Sequence, residues 1–192
     1  MRIIVTGGAG FIGSAVIRKL INESNHEVLN FDKLTYAGNI QNLYPIEENK
    51  RYSFLKLDIC NRESVSKVYK EFSPHAIIHL AAESHVDNSI KGPNEFISTN
   101  IIGTFNLLEE FRLRYKSDDK NSFNKFIHVS TDEVFGDLPH PDETAIKPLP
   151  KFNEDSSYKP SSPYSASKAG SDLIANSYYI THGLPLVTTR SS

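Results

Sequence analysis

Apolar residues concentrate in short runs along the chain, "RIIVT", "EVLNF", "YSFLKL", "AIIHLA", "KFIHVS" and "PLVTTR". Their length and their β-branched and aromatic content predict strands. Several are apolar at nearly every position, as strands covered on both faces require. Between them, residues 11 to 23, 61 to 71, 93 to 114 and 162 to 182 carry apolar side chains at helical spacing, among them Phe96, Phe105, Leu108 and Phe111. Strands alternating with helices predict the α/β class: a doubly wound parallel sheet with helices on both faces. Residues 33 to 50 and 136 to 161 break this rhythm. Both exceed the usual connection of about 4 to 6 residues, and ligands collect beyond the carboxyl ends of such strands.

Composition narrows the classes. A chain of 192 residues forms one good core, burying roughly 70% of its unfolded surface. With 39% hydrophobic residues, 23% charged residues and a net charge of -2, it has no field that would recruit nucleic acid or a membrane surface. The lone Cys60 cannot form a disulfide within the chain, which predicts a reducing, cytoplasmic setting. The first apolar run breaks at glycines after Thr6, too early for a signal peptide or a bilayer span. None of the seven histidines has the helical spacing and partnering acid of a zincin site, so no metal is expected. No repeat or linker divides residues 1–192, which read as one domain that stops directly after a strand, as a truncated chain would.

"VTGGAGFIG" sets Gly7, Gly10 and Gly13 three residues apart between the first strand and the first helix. In a dinucleotide-binding Rossmann fold, Gly7 makes the tight turn, Gly10 lets the pyrophosphate approach and Gly13 lets the helix pack on the sheet. The amides near Phe11 and Ile12 then face the anion. A tight turn alone would also explain the glycines. Asp32 at the end of the second strand sharpens the reading, because an acid there accepts hydrogen bonds from the adenosine ribose and repels a 2′-phosphate. NAD is therefore favoured over NADP, with Lys33 as the counter-argument. Lys33, Leu34 and Thr35 follow on the same loop, and Thr99 lies on the predicted helix 93–114; all are assigned to the cofactor. Asp58 and Ile59 would flank the adenine, although Asp58 also suits a helix N-terminus. Leu80, Ala81 and Ala82 end the fourth strand compactly enough for a cofactor to pass, and Ser84 is assigned to both cofactor and substrate.

"SPYSASKAG" places Tyr164 and Lys168 four residues apart on one helix face. A nearby cation lowers a phenol's pKa, so Tyr164 would accept a proton from an alcohol while the alcohol's hydride passes to nicotinamide. Lys168 would also hold the nicotinamide ribose, and Thr131 would hydrogen-bond the same substrate oxygen. A solvated Tyr–Lys pair and a strand-edge threonine are the plainer alternatives.

"GGAGFIG" with "YSASK" resembles the extended short-chain dehydrogenase/reductase superfamily. "LAAESHVDNSI", "STDEVFGDLPHPDE" and "SSPYSASKAGSD" are similar to its dTDP-glucose 4,6-dehydratase family, from Met1 to Ser192. The resemblance implies oxidation of a dTDP-sugar at C4 by bound NAD, loss of water across C5 and C6, and hydride return to C6. It implies Tyr164 as the C4 base, Glu133 as the C5 base, Asp132 as the acid for the C6 hydroxyl and Thr131 as an aid at C4. It also implies a homodimer through helices 93–114 and 162–182, and a nucleotide-gripping domain after "TRSS", so that residues 1–192 would bind NAD with little turnover. Phe135 and Asn88 stand where tyrosine and arginine are commoner in the family. Physically, a C5 proton is acidic only while C4 is a ketone, so a second base is required. Repulsion between adjacent carboxylates raises one pKa. Both acids can serve one sugar only if the strand ends near Thr131, because neighbours in a strand point oppositely. A UDP-hexose epimerase or dehydratase and a non-catalytic NAD-binding module remain alternative readings, as does a plain pair of loop acids.

Overall fold

Residue alternation along the first strand sets up the whole architecture. In the computed structural model, which describes residues 1–117, 124–140, 142 and 150–191, strand β1 (Arg2–Thr6) sends Ile3 and Val5 to one face of a sheet and Ile4 to the other. Each face is buried, as the continuous apolar run requires. On the first face Ile3 and Val5 pack with Val28 of β2 (Glu27–Asp32), with Ile17 and Ile21 of α1 (Phe11–Glu23), and with Leu43 and Ile46 of a 3-10 helix (Ile40–Ile46). On the second, Ile4 packs with Ile77 of β4 (Ala76–His79), Phe126 of β5 (Lys125–Thr131), and Leu107, Leu108 and Phe111 of α5 (Thr104–Ser117).

The sheet runs β3-β2-β1-β4-β5-β6, with β3 at Tyr52–Lys56 and β6 at Leu186–Ser191, and every pair is parallel. This is the expected doubly wound Rossmann order. Strand order reverses between β1 and β4, opening the crevice in which such sheets bind ligands. α2 (Arg62–Phe72) follows β3, with the Asn61 side chain accepting from the Ser64 amide. α6 (Pro163–His182) begins with a reciprocal cap between Ser162 and Ser165 and Pro163 in its first turn, and ends at Gly183 in the left-handed region.

The predicted continuous helix 93–114 is interrupted. α4 (Pro93–Phe96) runs into a π-helical stretch, Ile97–Gly103, before α5 begins. A side chain on Gly103 would lie 2.5 Å from the Ile59 side chain, so the backbone is pressed against Ile59 there. The wider turns leave Thr99 and Asn100 buried. Phe96, Leu108 and Phe111 of this segment are also buried, with Leu108 and Phe111 in the second-face core. A short helix α3 (Val86–Lys91), too brief for a clear period, was not expected. Strand β4 closes at His79, two residues before the end of the predicted run, where the Leu80 and Ala81 amides turn to the Thr6 hydroxyl. Residues 141, 143–149 and 192 lie outside the described residues, and with them part of the predicted 136–161 loop.

Candidate active site

The carboxyl ends of β1, β2, β4 and β5 surround a cleft of about 440 Å³. At its floor Gly7 has φ +69°, and a Cβ there would fall 2.7 Å from the Ala81 amide nitrogen. A Cβ on Gly13 would fall 2.2 Å from the Gly7 carbonyl oxygen. These two glycines are fixed by backbone contact. Gly10 caps α1, whose first turn contains no acid, so the positive end of the helix faces the cleft without a competing carboxylate. Phe11 and Ile12 follow on the lining, Phe11 91% exposed. The loop thus fits a bound pyrophosphate.

Asp32 lines the same cleft. One of its oxygens accepts from the Ala9 amide at 2.9 Å and the other from the Leu34 amide at 2.8 Å. The carboxylate is oriented by backbone and keeps lone pairs for a diol such as a ribose. Lys33 Nζ lies 3.8 Å from Asp58, 3.8 Å from Glu83 and 3.3 Å from the Thr99 hydroxyl. It is engaged by these partners, which weakens the argument that it would welcome a 2′-phosphate. Thr35, Ile59, Leu80, Ala81, Ala82 and Ser84 also line the cleft. Leu34 and Asp58 do not. Leu34 adopts a left-handed backbone (φ 57°), and Asp58 turns back to accept from the Cys60 amide at 2.8 Å, in the loop before α2, whose cap is Asn61 and whose first-turn acid is Glu63.

At the other end, β5 finishes at Thr131 and a 3-10 turn, Asp132–Phe135, begins at once. The Thr131 hydroxyl accepts from the Glu133 amide at 3.3 Å, so one residue ends the strand and caps the turn. The strand-like alternation of Asp132 and Glu133 is thereby removed. Thr131, Tyr164 and Lys168 line the cleft, whereas Asp132 and Glu133 are not among its lining residues. Both acids act electrostatically on the Tyr164 phenol, whereas the Thr131 hydroxyl acts on it in the opposite sense.

The electrostatics differ from expectation in one respect. Tyr164 is 8% exposed, and its pKa is raised, first by burial and then by Glu133, with the Thr131 hydroxyl opposing. The expected lowering by Lys168 does not prevail. Lys168 Nζ donates to the Val129 carbonyl at 2.7 Å, and burial brings its own pKa down to about 8, against the pull of Asp172. Among the acids the upward shift falls on Glu133, through partial burial first and then the charges of Asp132 and Asp137. A raised carboxylate is a stronger base when ionised.

Two residues beyond the predicted set belong to this region. Glu83 is buried on the cleft wall, and its pKa is raised chiefly by burial, with Lys33 opposing. Asn100 accepts from the Glu83 amide at 2.9 Å and donates to the Glu83 carbonyl at 2.9 Å and to Ser167 at 2.8 Å, tying the loop after β4 to α6. A buried amide inside an apolar helix pattern was the available signal for Asn100. Asn88, the departure in "HVDNSI", is exposed on α3, away from the cleft lining. Among the described residues no group of three or more His, Cys, Asp or Glu side chains could hold a metal, and no helix is long and apolar enough to cross a membrane.

The family described as GDP-mannose 4,6 dehydratase matches residues 4–192. A dTDP-glucose 4,6-dehydratase of Escherichia coli is 55% identical over 100% of this chain and 54% of its own length. Among solved structures, a dTDP-glucose 4,6-dehydratase of Streptomyces venezuelae with NAD bound superposes with a TM-score of 0.85 at 40% identity, covering 99% of this chain and 55% of that one. A UDP-glucose 4-epimerase of Thermus thermophilus in complex with NAD gives 0.82 at 31% identity, covering 99% and 54%. The chain thus spans about half the length of the relatives it matches.

Proposed function

The chain belongs to the family described as GDP-mannose 4,6 dehydratase, and on that premise we propose that it supplies the NAD-binding and catalytic part of a dTDP-glucose 4,6-dehydratase. The observation that supports this reading is the turn at Thr131, after which Asp132 and Glu133 both act electrostatically on the Tyr164 phenol, itself on the lining of the cleft. NAD, when bound, supplies the acceptor for the C4 hydride and the donor for its return to C6. The glycine loop holds the pyrophosphate, Asp32 the adenosine ribose and Lys168 the nicotinamide ribose. Tyr164 takes the C4 hydroxyl proton, helped by Thr131, so the C4–H bond can release its hydride. Glu133 then removes the C5 proton made acidic by the C4 ketone. Asp132 gives a proton to the C6 hydroxyl, which leaves as water. The hydride returns to C6 and a proton to C5, giving a 4-keto-6-deoxy sugar.

The same reading assigns residues 1–192 to the NAD-binding domain and predicts NAD binding with little turnover by these residues alone. It also includes a cytoplasmic homodimer formed through α6 and the helical segment 93–114. The exposed Leu173 and Ile180 on α6, with Ile97 and Ile102 on its neighbour, support that face. The rival is a 4-epimerase, favoured by the epimerase superposition and disfavoured by the second base, which epimerisation does not need. Incubating the natural full-length protein with dTDP-glucose separates them: loss of one water supports dehydration, whereas an unchanged mass with inverted C4 overturns it. Glu133→Gln should abolish product while leaving NAD affinity intact.

A further inference from the structure

On α6, Tyr164, Lys168 and Asp172 recur at four-residue intervals along one helix face. The reading above uses the first two and leaves the third idle. Asp172 is nonetheless 1% exposed, and an ionised carboxylate is kept in such a place only where charged or hydrogen-bonding partners surround it. It has them. Oδ1 is hydrogen-bonded to His128 of β5 at 3.0 Å, and Oδ2 accepts from Arg190 of β6 at 3.1 Å and from the Tyr158 hydroxyl at 3.2 Å. Arg190 also donates to the Tyr158 oxygen at 2.5 Å.

The guanidinium has a second contact. Its carbon sits 5.1 Å from the centre of the Phe135 ring and 5.6 Å from that of Tyr158, inside the range of cation–π attraction. Phe135 is the last residue of the turn that carries Asp132 and Glu133. The turn is also held by other contacts: the Phe135 ring meets those of Phe152 at 5.4 Å and Tyr158 at 5.7 Å. Val134 and Phe135 pack on Ala169 of α6, and the Val134 carbonyl accepts from the Lys159 amide at 3.0 Å. A continuous set of contacts therefore runs from the helix bearing the phenol, through Asp172 and Arg190, to the turn bearing the acids.

We propose that Asp172 and Arg190 are positioning residues that fix the acid turn relative to the Tyr164 helix, so that Glu133 stands within reach of C5 of the sugar already held at Tyr164. The inference rests on the dehydratase reading. It separates two steps: oxidation at C4 needs only Tyr164, Thr131 and the cofactor cradle, whereas elimination needs the turn in register. Disturbing the pair slows elimination selectively.

The test uses the full-length enzyme with NAD and dTDP-glucose in single turnovers, following the rise and decay of reduced-cofactor absorbance together with water loss by mass. In Arg190→Leu the rise should stay within about twofold of the parent while the decay slows about tenfold or more, the scale set by sub-ångström to ångström misplacement. Arg190→Lys, which keeps the charge but loses the planar fork, should recover part of the decay rate. Equal slowing of both phases, or no slowing of either, overturns the proposal. Should Arg190→Leu not fold, Tyr158→Phe decides, since it removes one hydroxyl and keeps the ring: a slower decay with an unchanged rise supports the pair, and an unchanged decay overturns it. A parent enzyme that releases no water refutes instead the dehydratase reading beneath it.

Discussion

The two ends of the cleft are built from different materials. The cofactor end, from Gly7 to Asp32, is shaped by main chain: two glycines without room for a Cβ, the start of a helix, and a carboxylate aimed by two amides. The chemical end, from Thr131 to Arg190, is shaped by side chains: a phenol, a buried lysine and a carboxylate–imidazole–guanidinium cluster under a one-turn helix. Main-chain geometry tolerates no added atom but is indifferent to charge and pH. Side-chain geometry tolerates substitutions that keep the fold, and it changes with protonation.

That contrast orders the expected effects. Gly13→Val is the most severe, because its Cβ would stand 2.2 Å from the Gly7 carbonyl oxygen. Overpacking of this kind costs about 1–3 kcal/mol or more, and NAD binding should vanish in a calorimetric titration alongside a lower thermal midpoint. Tyr164→Phe should leave folding and NAD affinity unchanged but lower product formation by about 10²–10⁴-fold, the usual contribution of a positioned acid or base. Steady-state assay of the full-length enzyme against direct NAD titration separates the two. Were NAD affinity to collapse with the phenol, the two ends would not be independent.

Acid should reach the side-chain end first. His79 and His128 have pKa values below the usual 6.5, through burial first, with His128 and Lys168 adding for His79 while Asp172 opposes for His128. Unfolded imidazoles take up protons near pH 6.5 while the folded ones stay neutral, so their stabilising contribution is complete above that pH and falls as the pH drops below it. Each neutral imidazole accounts for about 1.4 kcal/mol per unit, visible as a lower urea midpoint at pH 5.5 than at pH 6.5. Glu83 and Glu133, whose pKa values are raised chiefly by burial, act in the opposite sense as they gain protons earlier in the folded state. The smallest effect is expected at Lys33. Its partners are 3.8 Å away and it is partly exposed, and such pairs contribute about 1 kcal/mol or less. Lys33→Met should therefore change the ratio of NAD to NADP affinity by less than about fivefold; a larger gain or loss of NADP binding would give the lysine a role in cofactor choice.

The same contrast explains what could be read in the sequence. Gly7, Gly13 and Asp32 were legible because main-chain requirements leave few alternatives, and each is met by one residue type. The sheet was legible because its runs are apolar on both faces. Thr131 was legible as the end of β5 because the acids after it could not otherwise share a site. The π-helical stretch at Ile97–Gly103 was not, since apolar spacing does not distinguish its wider turns from those of an α-helix. Nor was the rise in the Tyr164 pKa, because i, i+4 spacing puts Lys168 on the right face but says nothing of the burial of the phenol or of the Glu133 charge acting on it. Asn100, Asp172 and Arg190 escaped for the same reason: each acts through partners that only the folded chain supplies.

The contact between the Lys159 amide and the Val134 carbonyl, beside Gly136 in a backbone conformation (φ +91°) that leaves no space for a side chain, pins together the two ends of the excursion between them. An excursion closed at its base is free to change length without passing a force to what precedes it, each doubling costing only about 0.6 kcal/mol. The length of that excursion can thus change while the acids before it stay where they are, provided that Phe152 and Tyr158, which pack on Phe135, are kept.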